Sequence, residues 1–180
     1  MPHTPILATL GYVYSEKNDE VLLIHRNLRV GDLHLGKFNG LGGKLEANED
    51  VVTGMTRELK EEAGIDVREL SLRGTINWTG FGKGGENWFG FIFLITKWEG
   101  EPKTQGDNPE GTLHWIKRER LIEGCSFDEA TRARAELPMW PGDKYFVPLV
   151  FKNRDRQFHG YLPYKDGSPV SWSFTEVTLS

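Results

Sequence analysis

A mixed sheet carrying a few helices, in an α/β or α+β sandwich of one domain, is what this sequence predicts. Three observations lead there. Runs rich in β-branched and aromatic residues recur along the chain. One long helix has clear start and stop residues. The 180 residues hold no repeat, low-complexity segment or linker, and a chain of that length can bury about 70% of its unfolded surface in one domain.

The elements follow in order. Ile6 to Tyr14 and Val21 to His25 read as strands, joined into a hairpin by the polar turn Ser15-Glu16-Lys17-Asn18-Asp19. A glycine-punctuated loop runs from Gly31 to Gly43. Asn48-Glu49-Asp50 then opens a helix that reaches about Ala63, and Gly64 stops it as the residue past the C-cap. Ser71 to Trp78 and Trp88 to Trp98 read as strands about the turn Gly80-Phe81-Gly82-Lys83-Gly84-Gly85. Leu113 to Ile116 is a strand after the loop Gly106 to Gly111. Phe127 to Ala135 and Asp143 to Phe151 form short helices. Gln157 to Tyr164 and Ser171 to Thr178 make a terminal hairpin about Lys165-Asp166-Gly167.

Composition narrows the function. Hydrophobic residues at 38% and charged residues at 27% are ordinary for a globular protein. No apolar run approaches the ~20 residues of a spanning helix, so no membrane partner is expected. Met1-Pro2-His3-Thr4-Pro5 lacks the layout of a signal peptide. The single cysteine, Cys125, cannot form an internal disulfide, and a reducing, cytoplasmic location is expected. A net charge of −4 argues against electrostatic capture of duplex nucleic acid. That charge is concentrated. Residues 43–66 hold seven acids against Lys44, Arg57 and Lys60, and the remainder balances at nineteen of each sign.

Within that stretch Glu58, Glu61 and Glu62 fall at i, i+3 and i+4 and share one helix face. Val52, Met55, Leu59 and Ala63 share the neighbouring face, suited to burial. Three carboxylates within one turn repel by a few tenths of a kcal/mol per pair, roughly, although Arg57 and Lys60 offset part of this. The bland reading is a solvated acidic face. The sharper one is a platform for a hard divalent cation, because Mg²⁺ takes carboxylate oxygens, keeps waters and shares substrate phosphates.

The neighbours of those glutamates favour the cation. Gly43, Glu49, Arg57-Glu58, Glu61-Glu62, Gly64 and Ile65 match the Nudix box, Gx5Ex7REUxEExGU with U apolar, at every defined position. A chance match is about one in a million. The sequence therefore resembles the Nudix hydrolases. The resemblance implies an α/β/α sandwich with a mixed sheet and a catalytic loop–helix–loop. It implies Mg²⁺, with Mn²⁺ as a substitute, on Glu58, Glu61, Glu62 and the Gly42 carbonyl, and an Arg57 that orients Glu49. The implied reaction is attack of water on a phosphorus of a nucleoside diphosphate linked to another group.

Flanking segments resemble the MutT-type and MutX-type members, which hydrolyse oxidised purine nucleotides. These are Leu22 to Arg26, Gly36 to Lys44, Met139-Trp140-Pro141-Gly142-Asp143 and Phe158-His159-Gly160-Tyr161. Asn39 offers a donor and an acceptor to a purine edge. Trp140 offers a flat face, worth about 1–3 kcal/mol per stacked base. Asp143 accepts from base N–H groups if ionised and donates if protonated. Phe81 is a further pocket candidate, and Leu33 falls near an aromatic of the human MutT-type member. That member carries two aspartates after its Trp-Pro pair, whereas this chain has Gly142 and Asp143, so no proton-sharing carboxylate pair is available. By the same resemblance Glu110 is a last metal ligand or the base that deprotonates water, and Arg26 meets a phosphate. The five histidines show no metal-ligand spacing.

The expected function is Mg²⁺-dependent cleavage of nucleoside triphosphates to monophosphate and pyrophosphate, with 8-oxo-dGTP or a related oxidised purine nucleotide as substrate. Such a role cleans the nucleotide pool ahead of DNA repair. One alternative is removal of pyrophosphate from an RNA 5′ end, with Lys117, Arg118 and Arg120 or Lys152, Arg154 and Arg156 lining a groove. The other is a non-catalytic nucleotide- or RNA-binding regulator, against which the retained box glutamates argue. A monomer is the default expectation.

Overall fold

The computed structural model describes residues 1–82, 84–104 and 108–180. The chain runs β1 (Ile6–Ser15), β2 (Glu20–His25), β3 (Phe38–Asn39), α1 (Val51–Ala63), β4 (Asp66–Phe81), β5 (Glu86–Glu99) and β6 (Thr112–Lys117). It continues α2 (Arg118–Gly124), α3 (Glu129–Ala135), α4 (Asp143–Phe151), β7 (Arg156–Lys165), β8 (Ser168–Pro169) and β9 (Ser173–Thr178). The sheet order is β3-β2-β1-β5-β4-β7-β8, with β6 also on β2 and β9 also on β7. The β1–β5 and β4–β7 pairs are parallel, and the others are antiparallel, so the sheet is mixed.

Alternation along the central strands builds two cores. Val13, Leu22, Ile24, Phe93 and Ile95 meet Met55, Leu59 and Ala63 of α1 on one face. Tyr12, Tyr14, Val21, Leu23, Ile92 and Leu94 meet Leu121 of α2, Ala135 of α3 and Phe146, Val147 and Val150 of α4 on the other. The result is a three-layer α/β/α sandwich. Each fully buried aliphatic side chain contributes about 1.5–3 kcal/mol.

α1 carries the acidic face, and its ends are well defined. Asp50 caps it by accepting from the Val52 and Thr53 N–H groups at 2.8 and 2.9 Å. Gly64, at φ +74°, ends it in the left-handed region. Asp50→Ala is expected to cost about 1 kcal/mol in denaturant unfolding. A variant as stable as the parent would mean that packing alone holds the helix.

The hairpin strands splay apart, and this positions the site. β1 and β2 pair only from Val13↔Leu22 to Ser15↔Glu20. Beyond that point β3 takes over as the partner of β2, while Leu41 and Lys44 bridge to Gly11 and Ala8 of β1. Residues 38–44 are thus wedged between the two strands. At Gly40 and Gly42 the fit admits no side chain. A Cβ on Gly40 would lie 2.8 Å from the Gly11 carbonyl oxygen, and one on Gly42 would lie 2.2 Å from that of Thr9.

At the far side of the sheet, Arg73 of β4 is 1% exposed. Its guanidinium donates to the carbonyls of Val150, Lys152, Asn153, Arg154 and Arg156 at 2.7–3.1 Å. It closes the C-terminus of α4 and the turn into β7. Burial holds its pKa below the usual arginine range.

Several boundaries differ from the sequence reading. α2 was not foreseen. β4 begins at Asp66 rather than Ser71, because its first residues pair with the end of β5 through bulges. The Gly31 to Gly43 loop contributes β3. The terminal hairpin is interrupted: Tyr164 pairs with Pro169 but Tyr161 with Ser173, so one extra residue is accommodated between β8 and β9. Lys83 of the expected glycine turn, and Gly106 and Asp107 of the expected loop before β6, lie outside the described residues. Among the described residues no helix is long and apolar enough to cross a membrane.

Candidate active site

Two clusters of side chains flank the wedged segment. The first is the acidic face of α1. Arg57 grips Glu49 with both arms of its fork, Nη2 to Oε1 at 2.8 Å and Nε to Oε2 at 3.0 Å. Its Nη1 also donates to Glu58 at 2.8 Å and to Glu61 at 3.3 Å. Hydrogen bonding to Glu49 raises the pKa of Arg57 further above the arginine range, so its charge is fixed. Glu61 is the exposed member, at 58%.

Glu62 has a different support. Its Oε2 accepts the Gly42 N–H at 2.8 Å. The carbonyls on either side, of Leu41 and Gly43, bond to Gly11 and Thr9 of β1. Burial pushes the Glu62 carboxyl up to about 8, with Glu58 and Glu110 adding to the shift. Burial likewise raises Glu58, and Arg57 opposes this. Glu58 lies so close to Gly43 that a Cβ there would sit 2.5 Å from its Oε1. Glu110 is held by Arg26, which also donates to Asp32 at 2.7 Å. The Arg26 guanidinium thus engages two carboxylates, through Nε and Nη1, out of the five N–H donors that a guanidinium carries.

Among the described residues no three His, Cys, Asp or Glu side chains converge tightly enough to hold a metal by themselves. Glu58 and Glu61 turn instead to Arg57. The donor set is nevertheless all oxygen, and mutual repulsion plus burial penalise its charge. A hard divalent cation would relieve both. The residues fit such an ion once their carboxylates rotate toward it.

The second cluster is aromatic. Phe81 meets Trp140 at a centroid distance of 5.2 Å and 65°, and Tyr164 at 5.1 Å. Lys37 Nζ lies 4.9 Å from the Trp140 ring centroid. The Trp140 indole N–H donates to His34 Nδ1 at 2.7 Å. Asp143 is buried, and its Oδ2 accepts the Trp140 backbone N–H at 3.0 Å. Burial pushes the Asp143 carboxyl up to about 7. Leu33 reaches the same turn, with Cδ2 4.0 Å from where a Gly82 Cβ would stand.

Asn39 sits in β3 opposite Ile24, and its Nδ2 is buried with no hydrogen-bond partner. The Thr9 Oγ1 of β1 is likewise buried and unpartnered. Buried polar atoms are normally satisfied, so both lack a partner they would ordinarily have, as does the Trp88 indole N–H. Sequence reasoning singled out neither Thr9 nor His34. Nothing local marks them, since their significance comes from neighbours distant along the chain.

The chain matches the NUDIX domain family over residues 4–150. It is 28% identical over 143 residues to the oxidized purine nucleoside triphosphate hydrolase of Mus musculus, covering 79% of this chain and 80% of that one. The Danio rerio protein of that name is 29% identical over 130 residues, covering 72% and 71%. Among solved structures, the MutT protein of Bacillus halodurans superposes with a TM-score of 0.72 at 29% identity, covering 94% of this chain and 97% of that one.

Proposed function

The chain belongs to the Nudix hydrolase family, and from that premise we propose that it cleaves oxidised purine nucleoside triphosphates, 8-oxo-dGTP first among them, to monophosphate and pyrophosphate. Nudix hydrolases generally use a divalent metal. Here Glu58, Glu61, Glu62, Glu110 and the Gly42 carbonyl would hold Mg²⁺, or Mn²⁺ in its place. When bound, the ion supplies charge stabilisation on the phosphate oxygens and leaving group.

The protein's own groups do the rest. Arg57 holds Glu49 and keeps Glu58 and Glu61 on one side of α1. Arg26 sets the position of Glu110, which either completes the oxygen set or takes the proton of the attacking water. Trp140 stacks the base, with Phe81 and Leu33 as walls. Asp143, with its carboxyl near 7, offers an acceptor or a protonated donor to the base edge close to neutral pH. We read the whole chain, 1–180, as one such domain, a cytoplasmic monomer acting on free nucleotides in pool sanitation.

One observation carries the base-reading half of the proposal: the buried Asn39 amide donor without a partner. It supports an acceptor on the ligand, such as a purine oxygen or ring nitrogen. The names of the mouse and zebrafish relatives point to the same substrate class. A steady-state panel of 8-oxo-dGTP, dGTP, 2-hydroxy-dATP and the normal nucleotides tests it. We expect kcat/KM for 8-oxo-dGTP to exceed that for dGTP by at least about tenfold. Equal values would end the sanitising reading.

Five of the six basic residues expected to line a groove for the RNA 5′-end alternative are engaged within the protein. Lys117 pairs with Glu20, Arg118 with Asp19, Arg154 with Glu16 and Arg156 with Glu176, while Arg120 caps the carbonyls of Ala135 and Glu136. Release of pyrophosphate from a triphosphorylated oligonucleotide in the same assay would revive it.

A further inference from the structure

We propose that His34 is a positioning residue of the base pocket: it fixes the plane of Trp140, so that an incoming purine meets a preset stacking face. This rests on the reading of Trp140 as the stacking residue. An indole nitrogen only donates, so at 2.7 Å His34 Nδ1 must be the acceptor. The imidazole meets the indole at 79° and Phe81 meets it at 65°, so neither ring stacks on it. Lys37 Nζ lies over the ring as a cation. The indole is therefore held at its N–H edge by His34, with Lys37 over one face.

His34 is itself held. Its backbone N–H donates to Asp32 Oδ1 at 3.0 Å, and Arg26 fixes Asp32 at 2.7 Å. Backbone bonds close the same loop: Gly36 N–H to the Arg26 carbonyl, Lys37 N–H to that of His34, and Arg26 N–H to that of Lys37. A chain of direct contacts thus runs from Glu110 through Arg26 and Asp32 to His34 and Trp140. Burial, with Arg26 and Lys37 nearby, lowers the His34 pKa to about 4. The ring is neutral at physiological pH, and Nδ1 stays an acceptor. A pre-oriented ring loses less freedom on stacking, which raises affinity without touching the reacting phosphorus.

The test compares His34→Leu, which removes the acceptor, with His34→Asn, whose Oδ1 stands where Nδ1 did. Two readouts are taken: KM and kcat for the best nucleoside triphosphate, and the indole ¹H–¹⁵N resonance of Trp140, assigned through Trp140→Phe. In His34→Leu we expect that resonance to shift, KM to rise about five- to tenfold and kcat to stay within about twofold. His34→Asn should bring KM back to within about twofold of the parent. An unchanged KM in His34→Leu, or no recovery in a folded His34→Asn, would overturn the assignment. If the parent turns over no nucleoside triphosphate, the proposed function fails by itself. His34 is then judged by calorimetric binding of dGMP, where the same rise in Kd is expected and an unchanged Kd overturns it.

Discussion

Glu61→Gln is expected to lower kcat by about 10²–10³-fold while leaving Tm unchanged. The side chain is 58% exposed, and its hydrogen bond to Arg57 is long at 3.3 Å. Glutamine keeps the shape and can accept that bond, so the fold loses almost nothing. What disappears is one negative charge on the face shared with Glu58 and Glu62. If that face holds Mg²⁺, the variant also needs more Mg²⁺ to reach its reduced maximum, which a titration reads separately from kcat. Glu58→Gln is less clean, because Glu58 is 14% exposed and bonded to Arg57 at 2.8 Å. A Glu61→Gln enzyme with the parent rate at saturating Mg²⁺ would remove the basis for placing the metal on α1.

Arg73→Met should be the most damaging change far from the site. The methionine fills much of the volume but donates nothing, and five carbonyls lose the guanidinium as a donor, although that of Asn153 keeps the Arg156 N–H at 2.9 Å. Hydrogen bonds from a charged donor are worth about 1.5–3 kcal/mol each. Water entering the turn would recover part of that, so a net loss of about 4 kcal/mol is expected. For a chain of this length that lowers Tm by about 10 °C. Arg73→Lys should fall between, since one ammonium cannot span five acceptors. Thermal and urea unfolding, with activity measured per folded molecule, would check this. A loss under about 1 kcal/mol would show that the turn between α4 and β7 holds itself.

What could be read from the sequence follows from how local each signal is. α1 was legible because Asp50, the apolar stripe and Gly64 all lie within it. α4 was legible because Asp143 and a dense apolar run mark it. α2 was not. Its seven residues, RERLIEG, bury only Leu121 and Gly124 and have no side-chain cap, so they resembled a basic surface stretch. β3 has two residues, and it exists only because β1 turns away from β2. At the site, the three glutamates announce themselves by helical spacing. The grip of Arg57 on Glu58 and Glu61, beyond its expected partner Glu49, does not. Nor does Arg26 binding Asp32 and Glu110, because Glu110 arrives from the far end of the chain's middle third. Arg73 and His34 look like ordinary residues until the strands and loops that surround them are in place.

The Gly42 N–H that holds Glu62 has a consequence for how the site can change over time. The donor belongs to the peptide unit, so no ordinary exchange of side chains removes it; only proline lacks it. What can be lost is the path of the backbone, and Gly42 at φ +146° against Thr9 makes that path intolerant of any Cβ. The acidic face of α1 can therefore drift one codon at a time, each step changing charge or reach. The anchor beneath it cannot drift; it stays whole or is broken in a single step.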